Sequence, residues 1–94
     1  MKLTFSNAKQ LKQIWKPNFF GLQGFFLPYD QKFYLGQELE ISFVVNEQDW
    51  GIAQIKVVWQ NIYGQDNEIT PKGTFLKIKT VDDKLKTQLN SIKD

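Results

Sequence analysis

Glu38-Leu39-Glu40-Ile41-Ser42-Phe43-Val44-Val45 decides the fold. Leu39, Ile41, Phe43 and Val45 fall on one side of an extended chain, and Glu38, Glu40 and Ser42 on the other. That is the period-two alternation of a strand with one buried face. The pattern repeats over Ile52–Gln60, where Ala53, Ile55, Val57 and Trp59 alternate with Gln54, Lys56 and Val58, so the alternation assigns Trp59 to the core. Asn46–Gly51 between the two runs reads as the return turn. Further on, Asn61–Gly73 is a polar loop and Thr74–Lys79 a last strand. Thr80-Val81-Asp82-Asp83 has the form of a capping box with Asp in place of Glu. It predicts a helix over about residues 81–92, capped by Thr80, with Val81, Leu85, Leu89 and Ile92 as its apolar stripe.

Toward the N-terminus, Phe25–Leu27 is a short strand ended by Pro28, and Tyr29–Gly36 is a loop. Gly21–Gly24 is a turn. Gln10–Phe20 is ambiguous: Leu11, Ile14 and Trp15 fit helical spacing, but Pro17 disfavours an undisturbed helix or a central strand, so the stretch reads as an edge strand. Ser6-Asn7-Ala8-Lys9 reads as a turn, and Leu3 and Phe5 alternate with polar neighbours as in a half-buried strand. The 94 residues contain no repeat, linker or low-complexity tract and make one domain. The pattern predicts a mainly β protein: a small antiparallel β-barrel over about residues 2–79 with one C-terminal α-helix.

Composition narrows the chemistry. All twelve basic residues are Lys; Arg, His and Cys are absent, and the net charge is +2. Without His or Cys the common zinc sites and the Ser–His and Cys–His nucleophilic pairs are impossible. Ser6-Asn7-Ala8-Lys9 matches the serine–lysine acylase pattern, but it lies in an expected turn and not at a helix start. Glu38 and Glu40 share a strand face where a general acid/base pair could sit, yet they alternate with core residues as a solvated face does. Gly21–Gly24 has the outline of a nucleic-acid clamp loop, with Phe flanks where such loops have basic helices. The expectation is no enzyme, no metal and no cofactor. No apolar run approaches the roughly 20 residues needed to span a membrane. Met1–Ser6, with one charge and no long apolar stretch, is not expected to begin a signal peptide, and zero Cys points to a cytoplasmic location as the expectation.

Gly24-Phe25-Phe26-Leu27-Pro28, the Tyr34-Leu35-Gly36 turn, the Glu38–Val45 strand and the Val57-Val58-Trp59 strand end together resemble the PilZ domain family. The resemblance runs from about Asn18 to Leu89 and is strongest to the family's type IV pilus assembly subgroup. It implies a six-stranded antiparallel barrel with a C-terminal helix. Many members bind cyclic di-GMP through an upstream Arg-x-x-x-Arg and a later Asp/Asn-x-Ser-x-x-Gly. Here Lys12 and Lys16 have the spacing of the Arg pair but lie too close to the second motif. Phe19 and Gly21 stand where that motif has Asp/Asn and Ser, and only Gly24 matches. A Lys ammonium lacks the forked, stackable donor set that Arg offers a guanine. No cyclic di-GMP binding is therefore expected. The pilus-assembly subgroup also lacks these motifs and acts through protein contacts. The resemblance thus implies an adaptor for pilus extension and twitching motility. Its implied partners are the hexameric pilus extension ATPase (PilB-like) and, in some bacteria, a FimX-like EAL-domain regulator. Two other readings stand beside it: a cyclic di-GMP receptor with a diverged site of Lys9, Lys12 and Lys16, and a small-barrel binder of single-stranded nucleic acid. The low net charge weighs against the last, so no nucleic acid and no membrane insertion are expected.

An adaptor needs exposed apolar side chains. Fourteen aromatics are present, seven of them between Phe19 and Tyr34. Adjacent strand residues point to opposite faces, so Phe25 and Phe26 cannot both enter one core, nor can Phe19 and Phe20. One assignment puts Phe20, Phe26 and Leu27 inside with their neighbours packed under the terminal helix; the other leaves one of each pair exposed. On the exposed reading the partner-binding candidates are Trp15, Phe19, Phe25, Tyr29, Phe33 and Tyr34, with Trp15, Tyr29 and Tyr34 foremost because Trp and Tyr anchor interfaces.

Overall fold

The strand that decides the fold lies where the alternation puts it. The computed structural model of the chain describes residues 1–27, 33–61 and 72–92. Strand β1 is Lys2–Phe5, β2 Trp15–Phe19, β3 Leu22–Leu27, β4 Glu38–Val45, β5 Gln48–Asn61 and β6 Gly73–Val81. Helix α1 is Ala8–Ile14 and α2 is Asp83–Ser91. The strands form one curled half-barrel sheet in the order β1-β4-β5-β6-β3-β2. It is mixed where a purely antiparallel barrel was expected. β1 runs parallel to β4, Leu3 beside Phe43 and Phe5 beside Val45, and every other pair is antiparallel. A parallel pair needs a long crossover, and the chain between β1 and β4 supplies it.

Two hairpins turn more tightly than their sequences indicate. Val45 pairs with Gln48 across Asn46-Glu47, with φ of 52° and 64°. Phe19 pairs with Leu22 across Phe20-Gly21, with φ of 52° and 84°. Both are two-residue turns with left-handed backbone at both central positions, the type whose twist matches that of the flanking strands. β5 therefore begins at Gln48, within the stretch expected to turn, and β3 begins at Leu22.

The Gln10–Phe20 edge strand is corrected. Its first half is helix α1: the Asn7 side chain accepts from Gln10 N (3.1 Å), the Gln10 side chain accepts in return from Ser6 N (2.8 Å), and Leu11 and Ile14 enter the core. Its second half is β2, at the sheet edge, where Pro17 removes no ladder bond that a central strand would need. The expected Ser6–Lys9 turn is thus the helix start. At the other end β6 continues through Thr80 to Val81, and Asp82, not Thr80, caps α2. Leu85 and Leu89 are buried, with Val81 and Ile92 packed beside them, as the stripe predicts.

The main core fills the concave side. Leu39 and Ile41 of β4 pair with Ile55 and Ala53 of β5, and Phe43 and Val57 join the same core with Leu76 of β6 and Phe25 and Leu27 of β3, closed by Leu11, Ile14, Leu85 and Leu89 from the helices. Trp59 is not part of it. Val57 pairs with Leu76 and Trp59 with Phe75, so two steps along β5 match one along β6. The extra residue, Val58, is a bulge that reverses the parity of the strand. From there on, the odd-numbered positions of β5 face the convex side. Trp59 consequently joins Phe75, Phe26 and Phe19 in a second apolar cluster on the outer face of the sheet.

Candidate functional site

Three surface features cluster around β2 and its hairpin with β3. The first is the outer aromatic cluster. Phe75 pairs with both Trp59 and Phe26 across the sheet, and the Phe19 ring stacks on Phe75 with centroids 4.3 Å apart and planes 16° off parallel. Phe75 and Phe26 are buried, while Phe19 and Trp59 are half-buried. Phe20 meets Phe19 edge-on at 4.8 Å and stands 75% exposed at the tip of the turn. An aromatic side chain on left-handed backbone is uncommon and costs free energy that a Gly or Asn would not. One of the two assignments left open put Phe20 inside the barrel; it is the most exposed large apolar residue described. Its neighbour in kind is the Tyr34-Leu35 turn, 68% and 64% exposed, which is tied to β5 by the bond from Gly36 N to Val57 O (2.7 Å).

The second feature is a basic groove of about 590 Å³ lined by Lys9, Lys12 and Gln13 of α1 and by Trp15, Lys16, Pro17 and Asn18 of β2. Lys9 and Lys12 lie three apart on α1 and so share a face. Lys16 points to the outer face of the sheet, in a cross-strand row with Gly24, Lys77 and Lys56, whereas Trp15 points inward beside Phe25. The groove thus wraps around the free edge of β2. Lys9, Lys12 and Lys16 have no ion pair among the described residues. Lys79, by contrast, is paired with Glu38. The hydrogen bond from Lys79, then its charge, and more weakly that of Lys56, hold the Glu38 carboxyl below the usual carboxylate range.

The third feature is a narrow cleft of about 140 Å³ where α2 meets the sheet. Ile78, Val81 and Leu89 are its apolar walls, with Gln23, Lys86 and Asn90 around them, and Trp15 lines this cleft as well as the groove.

The partner-binding candidates separate under this geometry. Trp15, Phe19 and Tyr34 reach the surface. Phe25 is fully buried, its ring 4.7 Å from that of Phe43, and offers nothing to a partner. Phe33 packs against the main core. Tyr29 lies outside the described residues. Phe20 and Leu35 are the exposed apolar residues the pattern missed, and the signal for Phe20 was the Phe-Gly dipeptide at a two-residue hairpin turn. The degenerate nucleotide positions have structural duties: Phe19 in the aromatic cluster and Gly21 in the turn. A side chain at Gly24 would strike the Leu76 carbonyl and the Phe75 ring. Lys12 and Lys16 do come together in the groove.

Among the described residues no group of three or more Asp or Glu is placed to hold a metal, and no helix is long and apolar enough to cross a membrane. The class defined by fold and surface is a mainly β, six-stranded half-barrel with a basic groove along β2 and an exposed Phe20 at the tip of the β2–β3 hairpin. No protein-family model matches the chain, and no curated protein is significantly similar to it.

Proposed function

We propose that the chain is a non-enzymatic adaptor that works by protein–protein contacts, and that its process is type IV pilus assembly and the twitching motility that depends on it. The observation that supports the adaptor reading is the set of large apolar side chains held out in solvent, Phe20 above all, with Tyr34 and Leu35. Phe20 is held there on left-handed backbone, a cost that its edge-on contact with Phe19 offsets only in part. The resemblance carried by Gly24–Pro28, the Tyr34–Gly36 turn and the Val57–Trp59 strand end supports the pilus assignment and points to the extension ATPase, with an EAL-domain regulator as a further partner. A cytoplasmic location follows from that role.

The convergence of Lys9, Lys12 and Lys16 on one groove favours a second reading, a cyclic di-GMP receptor with a lysine-based site. One experiment separates the two: calorimetric titration of the chain with the purified extension ATPase, beside a titration with cyclic di-GMP. Saturable binding of the ATPase and none of the dinucleotide is expected. Dinucleotide binding without ATPase binding would replace the adaptor reading with the receptor.

A further inference from the structure

Resting on the adaptor reading, we propose that the surface around Trp15 docks an acidic peptide segment that carries one apolar anchor residue. The anchor enters the cleft between Ile78, Val81 and Leu89, and the flanking carboxylates lie over Lys9, Lys12 and Lys16. The joining observation is that Trp15 lines both recesses, so they form one surface divided by an indole.

Charge selects the partner. Residues 1–29 contain four lysines and no acid, whereas the rest of the chain holds eight lysines against ten acids. No carboxylate lines the groove or the cleft. Lys86 beside the cleft, like the three groove lysines, has no ion pair among the described residues. Cations gathered without a counter-charge raise the local concentration of an acidic partner and favour its approach in one orientation.

Shape selects a peptide over other polyanions. The 140 Å³ cleft accommodates one aliphatic side chain, which a nucleic acid does not have. The amides of Gln23 and Asn90 can meet a peptide backbone. The Trp15 ring leans on Phe25 at 5.4 Å and 45°, so part of its surface is already engaged and unavailable for base stacking. Lysines carry mobile point charges that follow carboxylates of differing geometry, and there is no Arg to clamp a phosphate bidentately.

The test is a titration of the isotopically labelled chain with the peptide acetyl-Asp-Glu-Leu-Asp-Glu-amide, followed by amide and indole chemical shifts. The signals of Trp15 and Lys86 are expected to move together and saturably. Replacing the peptide's Leu by Ser should abolish the shift at Lys86. The double substitution Lys12→Gln/Lys16→Gln, which leaves the core untouched, should weaken binding by about ten-fold, the combined effect of two exposed ion pairs. The proposal is overturned if Trp15 does not move, if the Ser peptide binds equally well, or if a thymidine oligonucleotide of equal charge binds the same residues more tightly. The adaptor reading fails separately. If the double variant binds the ATPase as the native chain does, the docking surface is wrong and the adaptor stands. If the peptide moves Trp15 but no ATPase binds, the surface stands without the adaptor.

Discussion

Removing the carboxylate of Asp82 should loosen the whole α2 side of the molecule. Its Oδ1 accepts from Leu85 N at 2.8 Å, which caps the helix, and its Oδ2 accepts from Ile52 N at 2.9 Å, which ties the helix start to β5. Asp82 N in turn donates to Ile52 O at 3.1 Å. Losing an N-cap to Ala costs about 1 kcal/mol. Losing the second acceptor costs about 1 kcal/mol more, held to that by water reaching the exposed Ile52 amide. Asp82→Ala should therefore cost about 2 kcal/mol, a fall of about 8–16 °C in Tm for a domain of this size. Asp82→Asn keeps the capping oxygen but turns an amide NH₂ toward the Ile52 N–H, so about half the loss remains. Gly51 provides the cross-check. Its φ is +119°, and a Cβ there would strike the Asp82 carboxylate and Leu85 Cβ. Gly51→Ala should thus cost less in the Asp82→Ala background than in the native chain, a coupling that a double-mutant cycle measures. The assay is urea unfolding of the four proteins followed by thermal scans. Asp82→Ala within roughly 0.5 kcal/mol of the native chain, the ordinary range of a surface substitution, would refute the reasoning. Because α2 supplies Lys86 and Leu89 to the cleft, a real loss should weaken docking there too.

Phe20→Asn should separate folding from binding. It creates the Asn-Gly turn that left-handed backbone favours, relieving about 1–2 kcal/mol, and gives up an edge-on ring contact of about 0.5–1.5 kcal/mol. The urea midpoint should hold or rise while ATPase affinity falls; a clear drop in midpoint would make Phe20 a structural residue. Lys79→Ala should raise the Glu38 pKa toward the usual carboxylate value, read from an NMR titration of its side-chain carboxyl. Since folding lowers that pKa, the pair's contribution is complete above the usual carboxylate range and is lost as pH falls through the Glu38 titration. An unchanged Glu38 titration in the variant would discard the pairing.

The parts of the fold legible in the sequence are those governed by local periodicity. The ends of β4 follow from strict alternation, and the α2 stripe from helical spacing. What escaped was decided by single residues. Gln10–Phe20 fits both a helix and an edge strand because it contains one of each, and Asn7 and Gln10 mark the helix start only once their mutual capping is seen. The parity of Trp59 depends on the Val58 bulge, which no alternation pattern displays in advance. The parallel placement of β1 is a long-range choice with no local signature. On the surface, the exposure of Tyr34 was legible from its place in a loop, and the gathering of Lys9, Lys12 and Lys16 from their spacing. The exposure of Phe20 and the burial of Phe25 were not, because a one-residue difference in where a hairpin turns exchanges inside for outside.

The sheet is open, and α1 stands in the opening. It touches β1, β2 and β3, and it is held by two buried side chains, Leu11 and Ile14. Seven residues so anchored are among the first to detach when the native state breathes. Their departure would leave β1 and β2, the two ends of the sheet, without the helix beside them. Lys16 and Pro17 guard the β2 edge, but β1 has no such protection along Leu3-Thr4-Phe5. The short helix should therefore act as a latch against strand exchange between molecules. A chain weakened at Leu11 should be lost to dimers and aggregates through β1 before it is lost to unfolding.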